Sequence, residues 1–302
     1  MKIVLFGGSG FLGKHLVPKL LAKGHNVTLI SRRPEIVRRK IVPFVEVKEW
    51  STPEKLGSLL EGTDAFVNLA GESIGAKRWS ASRKDEILTS RIETTRTIVE
   101  TIGKMSKKPS VLLSASAVGY YGNVENEEVT ETHPPGKDFL ADVCVRWEAE
   151  AMKVGRLGVR VVLPRTGIVL ANNGGALQKM LVPFRLFAGG PLGSGNQWFP
   201  WIHIEDEINA IIYTLEHPAI SGPINLVAPE AITMRQFCSA LGSAMRRPSW
   251  APVPSFVLKV VLGEMAEALV LGGQKVVSRK LIESGYRIKF SRIDEALAEI
   301  LH

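Results

Sequence analysis

Residues 2–13 read Lys2-Ile3-Val4-Leu5-Phe6-Gly7-Gly8-Ser9-Gly10-Phe11-Leu12-Gly13, an apolar run of strand character that breaks directly into glycine. Gly7, Gly10 and Gly13 stand at the first, fourth and seventh positions of the motif. Beyond them Leu12, Leu16, Leu20 and Leu21 recur at helical spacing, and Gly24 supplies a stop. A strand, a glycine turn and a helix in that order form a cradle for a pyrophosphate. The glycines allow a tight turn and close backbone approach, and the first turn of the helix offers free N–H groups to the anion. Gly7, Ser9, Gly10, Phe11, Leu12 and Gly13 are therefore the first candidate dinucleotide contacts; the competing reading is an ordinary strand-to-helix turn. Pro18 falls inside the helix, where it removes a backbone hydrogen bond, so a kink or a compensating contact is expected there.

The next strand, residues 27–30, ends in Ser31-Arg32-Arg33. A carboxylate at this point grips the ribose of a cofactor without a 2′-phosphate, whereas a hydroxyl and guanidinium groups suit the extra phosphate, to whose oxygens Arg donates paired hydrogen bonds. Ser31 and Arg32 thus point to NADP(H), with a solvated basic loop as the alternative. Further strands are expected over 44–47, 65–68, 111–115, 159–163 and 223–227, with a long helix over 80–102. Strands alternating with helices predict an α/β fold with a doubly wound parallel sheet. The glycine- and proline-rich stretch 174–200 is expected to leave the sheet as loops, and the chain from Thr233 reads as helices. Residues 1–170, completed by about 201–228, would form the nucleotide-binding domain; 171–200 and 229–302 would form a smaller, mostly helical substrate region.

The 302 residues are 45% hydrophobic and 23% charged, enough for a full core. No apolar run reaches the roughly 18 to 20 residues of a membrane span, and the N-terminus lacks the build of a signal peptide, so the cytoplasm is the expected address and a membrane is not an expected partner. Cys144 and Cys238 have neither CxxC spacing nor a histidine cluster, so no metal site is expected. The net charge of +8 makes the surface basic. Its densest run, 32–40, has no interleaved aromatic residue to stack on bases, and nucleic acid is not an expected partner either. The apolar stretch 256–262 reads as a buried helix, a substrate lid or a subunit interface of a homo-oligomer.

The glycine pattern, Asn68-Leu69-Ala70-Gly71-Glu72, Ser114-Ala115-Ser116 and Tyr120-Tyr121-Gly122 together resemble the extended short-chain dehydrogenases/reductases. With Ser90-Arg91-Ile92-Glu93-Thr94-Thr95, Trp147-Glu148, Phe199-Pro200-Trp201-Ile202-His203 and Gly272-Gly273-Gln274-Lys275-Val276, the match narrows to the atypical, NAD-dependent epimerase/dehydratase-like "epimerase family protein" subgroup, whose members are often labelled cell-division-inhibitor-like. The resemblance implies an extended Rossmann fold with NADP along the strand ends. It also implies cofactor contacts at Leu69, Ala70, Gly71, Glu86, Arg91 and Val169. Without it, Glu86 and Arg91 read as helix-surface charges and Val169 as core.

Typical members of the superfamily use a tyrosine with a lysine four residues later, whose cation favours the phenolate. The four tyrosines here are followed at that distance by Val124, Glu125, His217 and Phe290, so the pair is missing. Ser116 matches the superfamily's catalytic serine, and Tyr120 or Tyr121 could supply an acid. Arg146, four residues after Asp142, would make a proton relay or a plain surface ion pair. His203 reads as more structural than catalytic, and Asp206 as a helix cap. The leading expectation is an NADP-dependent, epimerase-like oxidoreductase acting on a small polar, sugar-like substrate. A non-catalytic NADPH-binding module is the alternative that the missing pair suggests.

Overall fold

The computed structural model describes residues 1–39, 45–124 and 127–302. Strand β1 (Lys2–Phe6) leads into helix α1 (Phe11–Ala22), then β2 (Asn26–Ser31), α2 (Pro34–Arg38), β3 (Glu46–Glu49), α3 (Pro53–Leu59), β4 (Ala65–Asn68) and the long α4 (Ala81–Lys104). After β5 (Val111–Ser114) come β6 (Ser116–Ala117), a 3-10 turn over Val118–Tyr121, β7 (Glu128–Val129), α5 (Phe139–Met152) and β8 (Arg160–Thr166). The chain continues through β9 (Ile168–Ala171), α6 (Gly175–Arg185), β10 (Trp201–His203), α7 (Ile204–Glu216), β11 (Gly222–Leu226) and α8 (Met234–Met245). It closes with α9 (Ser255–Leu262), β12 (Lys275–Val276), α10 (Arg279–Glu283) and α11 (Ile293–Leu301).

The main sheet runs β11-β8-β5-β4-β1-β2-β3, with β6 prolonging β5 against β8, and its neighbours are parallel. Parallel neighbours need crossovers, and the crossing helices cover both faces. Successive side chains of a strand point to opposite faces, and β1 shows the division. Ile3 and Leu5 pack with Leu16 and Leu20 of α1 and Ile208 and Ile211 of α7, while Val4 and Phe6 pack with Leu56 of α3 and Ile98 and Ile102 of α4. Each fully buried side chain of this size contributes about 1.5 to 3 kcal/mol. The order reverses at β1, with β2 on one side and β4 on the other, which opens a crevice beyond the carboxyl ends of β1 and β4.

At Gly167 the chain leaves the main sheet. Its amide donates to the Leu226 carbonyl at 3.0 Å, and the next amide, of Ile168, already donates to Pro200 at 2.7 Å. A side-chain carbon on Gly167 would lie 2.6 Å from the Pro200 carbonyl oxygen, so only glycine fits. Beyond it β9 and β10 pair in parallel beside a second core of Leu177, Leu181, Phe184, Trp201, Phe237 and Leu297.

Three expectations are corrected. Residues 174–200 contain α6, because Leu177, Leu181 and Phe184 form a buried helical stripe that the glycine and proline count concealed. Residues 256–262 do form a helix, but only Leu258 of α9 is buried. Helix α1 runs as one element across Pro18, which is exposed. In the strand expected over 44–47, Phe44 lies outside the described residues, and the strand occupies Glu46–Glu49.

Candidate functional site

A cleft of about 470 Å³ fills the crevice at the reversal point. Its floor is the glycine turn, where the Gly10 amide donates to the Gly7 carbonyl at 2.9 Å. Gly7 has φ 81°, and a side-chain carbon on it would stand 2.7 Å from the Leu69 carbonyl carbon. The turn therefore needs glycine on two grounds, backbone conformation and contact with the β4 loop. Helix α1 begins here with no side-chain cap at Gly10 and no acidic residue in its first turn, so its first amides face the cleft unopposed. Ser31 and Arg32 line one end beside Val37 and Trp50, and Leu69, Ala70 and Gly71 line the facing wall. The Ala70 amide donates to the Asn68 side chain at 3.2 Å, which fixes that wall.

Of the fourteen predicted cofactor residues, Gly7, Ser9, Gly10, Ser31, Arg32, Leu69, Ala70 and Gly71 meet in this cleft. Phe11 and Val169 lie together past its other end: side-chain carbons on Gly174 and Gly175 would stand 2.7 Å from the Phe11 ring and 3.1 Å from the Val169 carbonyl. Gly13 sits behind the turn, close against Gly8, and Leu12 packs on the core. Arg91 lies beneath Gly71 and over the Trp147 ring at 5.2 Å, donating to the Ile87 carbonyl at 3.0 Å. It makes no ion pair among the described residues, and burial lowers its pKa. Such a cation lacks only an anionic partner. Glu86 stays on the exposed helix surface, bridged to Arg83 at 2.7 Å, while Arg83 also ties down Glu72 and the Ser73 carbonyl. Sequence reasoning missed Trp50 and the stripe Ser90, Glu93, Thr94 and Thr97 on the cleft side of α4. The spacing was visible, but only the apolar face of that helix was read.

The predicted catalytic residues separate into two places. Ser116 donates to Glu148 at 2.6 Å, and Glu148 holds Arg165 through two contacts of 2.8 Å. Arg165 donates to the Tyr121 hydroxyl at 3.0 Å, and that hydroxyl donates to Asn225 at 2.6 Å. All five side chains are buried. Burial opposes the Arg165 charge, but the Glu148 hydrogen bonds outweigh it and its pKa is raised. Burial pushes the Tyr121 phenol up to about 12, against the pull of Arg165. Tyr121 is thereby a strut of the network. Tyr120 is half-buried, with the Arg165 guanidinium 3.4 Å from the centre of its ring.

Arg146 is not part of this group. It bridges Asp142 at 3.0 Å on the exposed side of α5. The α5 face turned toward Ser116 instead carries Leu140 against Gly119, Cys144 against the Ala117 carbonyl, and Glu148. The i,i+4 pair of that face is thus Leu140 and Cys144, and burial holds the thiol protonated, with a pKa near 12. His203 caps α7 by accepting from the Glu205 amide and contacts Glu299 at 2.8 Å. Asp206 does not cap its own helix; it accepts from the Lys289 and Phe290 amides at 2.8 Å and so anchors the C-terminal segment.

An extended Rossmann fold with a glycine-turn cleft at the sheet's reversal point defines a dinucleotide-binding protein. The model of the NAD dependent epimerase/dehydratase family matches residues 3–226, and that of a domain of unknown function (DUF1731) matches 253–300. The chain belongs to the NAD dependent epimerase/dehydratase family. It is 42% identical to the chloroplastic epimerase family protein SDR39U1 homolog of Arabidopsis thaliana, across all of this chain and 87% of that protein. It is 39% identical to epimerase family protein YfhF of Bacillus subtilis, across all of this chain and 98% of the relative. The crystal structure of human epimerase family protein SDR39U1 (isoform 2) with NADPH superposes with a TM-score of 0.89 at 37% identity, over 99% of both chains. The subgroup read from the motifs and the fold class both agree with these matches.

Proposed function

We propose that the chain is an NADP(H)-binding, epimerase-like oxidoreductase that acts on a small polar, sugar-like substrate. One observation carries the reading: the glycine turn at the uncapped start of α1 shares a cleft with Ser31 and Arg32 at the end of β2. That pairing suits a pyrophosphate and a 2′-phosphate together. The presence of NADPH in the human relative supports it. When bound, the nicotinamide would supply a hydride donor or acceptor. Arg91, without an acidic partner, would offset cofactor charge beneath Gly71. Ser116 would orient a substrate oxygen while Glu148 fixes its rotamer, and Tyr120 would carry the proton. Residues 171–200 and 229–302 would form the substrate region, and the protein would work in the cytoplasm, which cell fractionation checks.

Calorimetric titration tests the cofactor: NADPH should bind at least about tenfold more tightly than NADH, as charge-assisted hydrogen bonds of about 1.5 to 3 kcal/mol require. Equal affinities would refute the assignment. Absorbance of NADPH against a panel of carbonyl metabolites tests the chemistry, with Ser116→Ala and Tyr120→Phe as controls.

A second reading, a non-catalytic NADPH-binding module, is favoured by Leu140 and Cys144 on the α5 face toward Ser116. It expects NADPH affinity without turnover, and a protein partner whose capture changes with NADPH.

A further inference from the structure

Residues 151–204 and 231–263 contain neither aspartate nor glutamate. Between 172 and 263 these stretches carry Lys179, Arg185, Arg235, Arg246, Arg247 and Lys259. Where they meet, apolar side chains stand in solvent. Leu186 is 72% exposed, Phe187 55% and Trp250 70%; on α9, Phe256 and Val260 are 70% and 72% exposed and one turn apart. The edge is held in place rather than loose. The Trp250 indole donates to the Phe187 carbonyl at 3.1 Å, and the Arg247 guanidinium lies 4.3 Å from the centre of the Phe187 ring. Backbone bridges join Gly189 to Ser249 and Leu192 to Val253. Phe187 is itself held at φ 60°, a conformation that bulky residues rarely take.

Exposed apolar groups gathered in this way mark a contact surface. A two-fold contact with a second copy would bring Arg185, Arg246 and Arg247 into one interface twice over, with no carboxylate from these stretches to offset them. Neither Arg185 nor Arg246 has an ion-pair partner among the described residues. The charge asks for an anionic partner, and the protruding Leu, Phe and Trp ask for one with an apolar interior and a polar rim. We propose that this face docks the protein on an anionic phospholipid membrane. Leu186, Phe187 and Trp250 enter the headgroup boundary, and Arg185, Arg246 and Arg247 meet lipid phosphates. The attachment is peripheral, since no helix among the described residues is long and apolar enough to cross a membrane. It replaces the sequence-based expectation that no membrane takes part.

Co-sedimentation of the full chain with vesicles of phosphatidylcholine alone, or with about a third phosphatidylglycerol, tests the proposal. The anionic vesicles should retain about tenfold more protein, and added salt should release it. The pair Leu186→Asp with Trp250→Ser, and separately Arg185→Glu with Arg246→Glu, should each lower retention about tenfold while NADPH affinity and melting temperature hold. Equal retention on both vesicles, or full retention of the variants, overturns the proposal. So does a dimer by light scattering that the same substitutions dissociate without any vesicle binding, or capture of an acidic protein by this face without vesicle binding.

Discussion

Arg32 and Tyr121 show how far a single residue could be read in advance. Arg32 was legible because its chemistry follows from its place, one position past the end of β2, where the sheet topology delivers it to the cleft. Replacing it with alanine should weaken NADPH about tenfold or more and leave NADH within about twofold, measured by titration calorimetry. Tyr121 was legible only as a tyrosine near Ser116; that its hydroxyl is consumed by Arg165 and Asn225 depends on β8 and β11, far along the chain. Its neighbour is the better test of chemistry. Tyr120→Phe should lower turnover on any active substrate by about a hundredfold or more and keep the melting temperature, whereas Tyr121→Phe should act mainly on stability. Arg165→Met leaves Glu148 buried and unpaired, and should cost about 3 to 5 kcal/mol in denaturant unfolding.

Helices carried less of their meaning in sequence than strands did. β4 matches residues 65–68 as read, because a run buried on both faces announces itself by composition. α6 was missed because glycines and prolines surround it, and α9 was misplaced because an apolar stripe does not say whether anything covers it. The first turn of α7 hides a further feature, Glu207, which is fully buried. One of its oxygens accepts from Thr166 at 2.7 Å, and the other has no partner. Burial raises its pKa from 4.5 to about 8, partly countered by the Thr166 hydrogen bond. The sign of the effect follows. Below pH 4.5 the carboxyl is protonated in both states; above it the unfolded chain ionises while the folded one keeps its proton. Stability should therefore fall between pH 4.5 and 8 and level off once the folded group ionises. Thermal melts of Glu207→Gln should be flatter across that window, with the variant more stable by a few kcal/mol at its upper end.

At the scale of the molecule, the cleft draws its walls from β1, β2, β4, α1 and α4, so its ligand bears on the cooperative unfolding of the main sheet. NADPH at about a hundred times its dissociation constant should add about 2.7 kcal/mol, seen as a rise of a few degrees in melting temperature; NADH at the same concentration should add less. The α/β class and the reversal point were legible from the alternation of strands and helices, but the second core was not, because it forms only after the chain turns away from the sheet. That departure is confined to Gly167, whose two flanking amide bonds belong to different layers. A methyl group at this corner would act as a wedge between them. Its damage should appear first in the orientation of everything downstream, while the nucleotide half went on folding around its own seven strands, so that one achiral residue sets the angle at which the two parts of the molecule face each other.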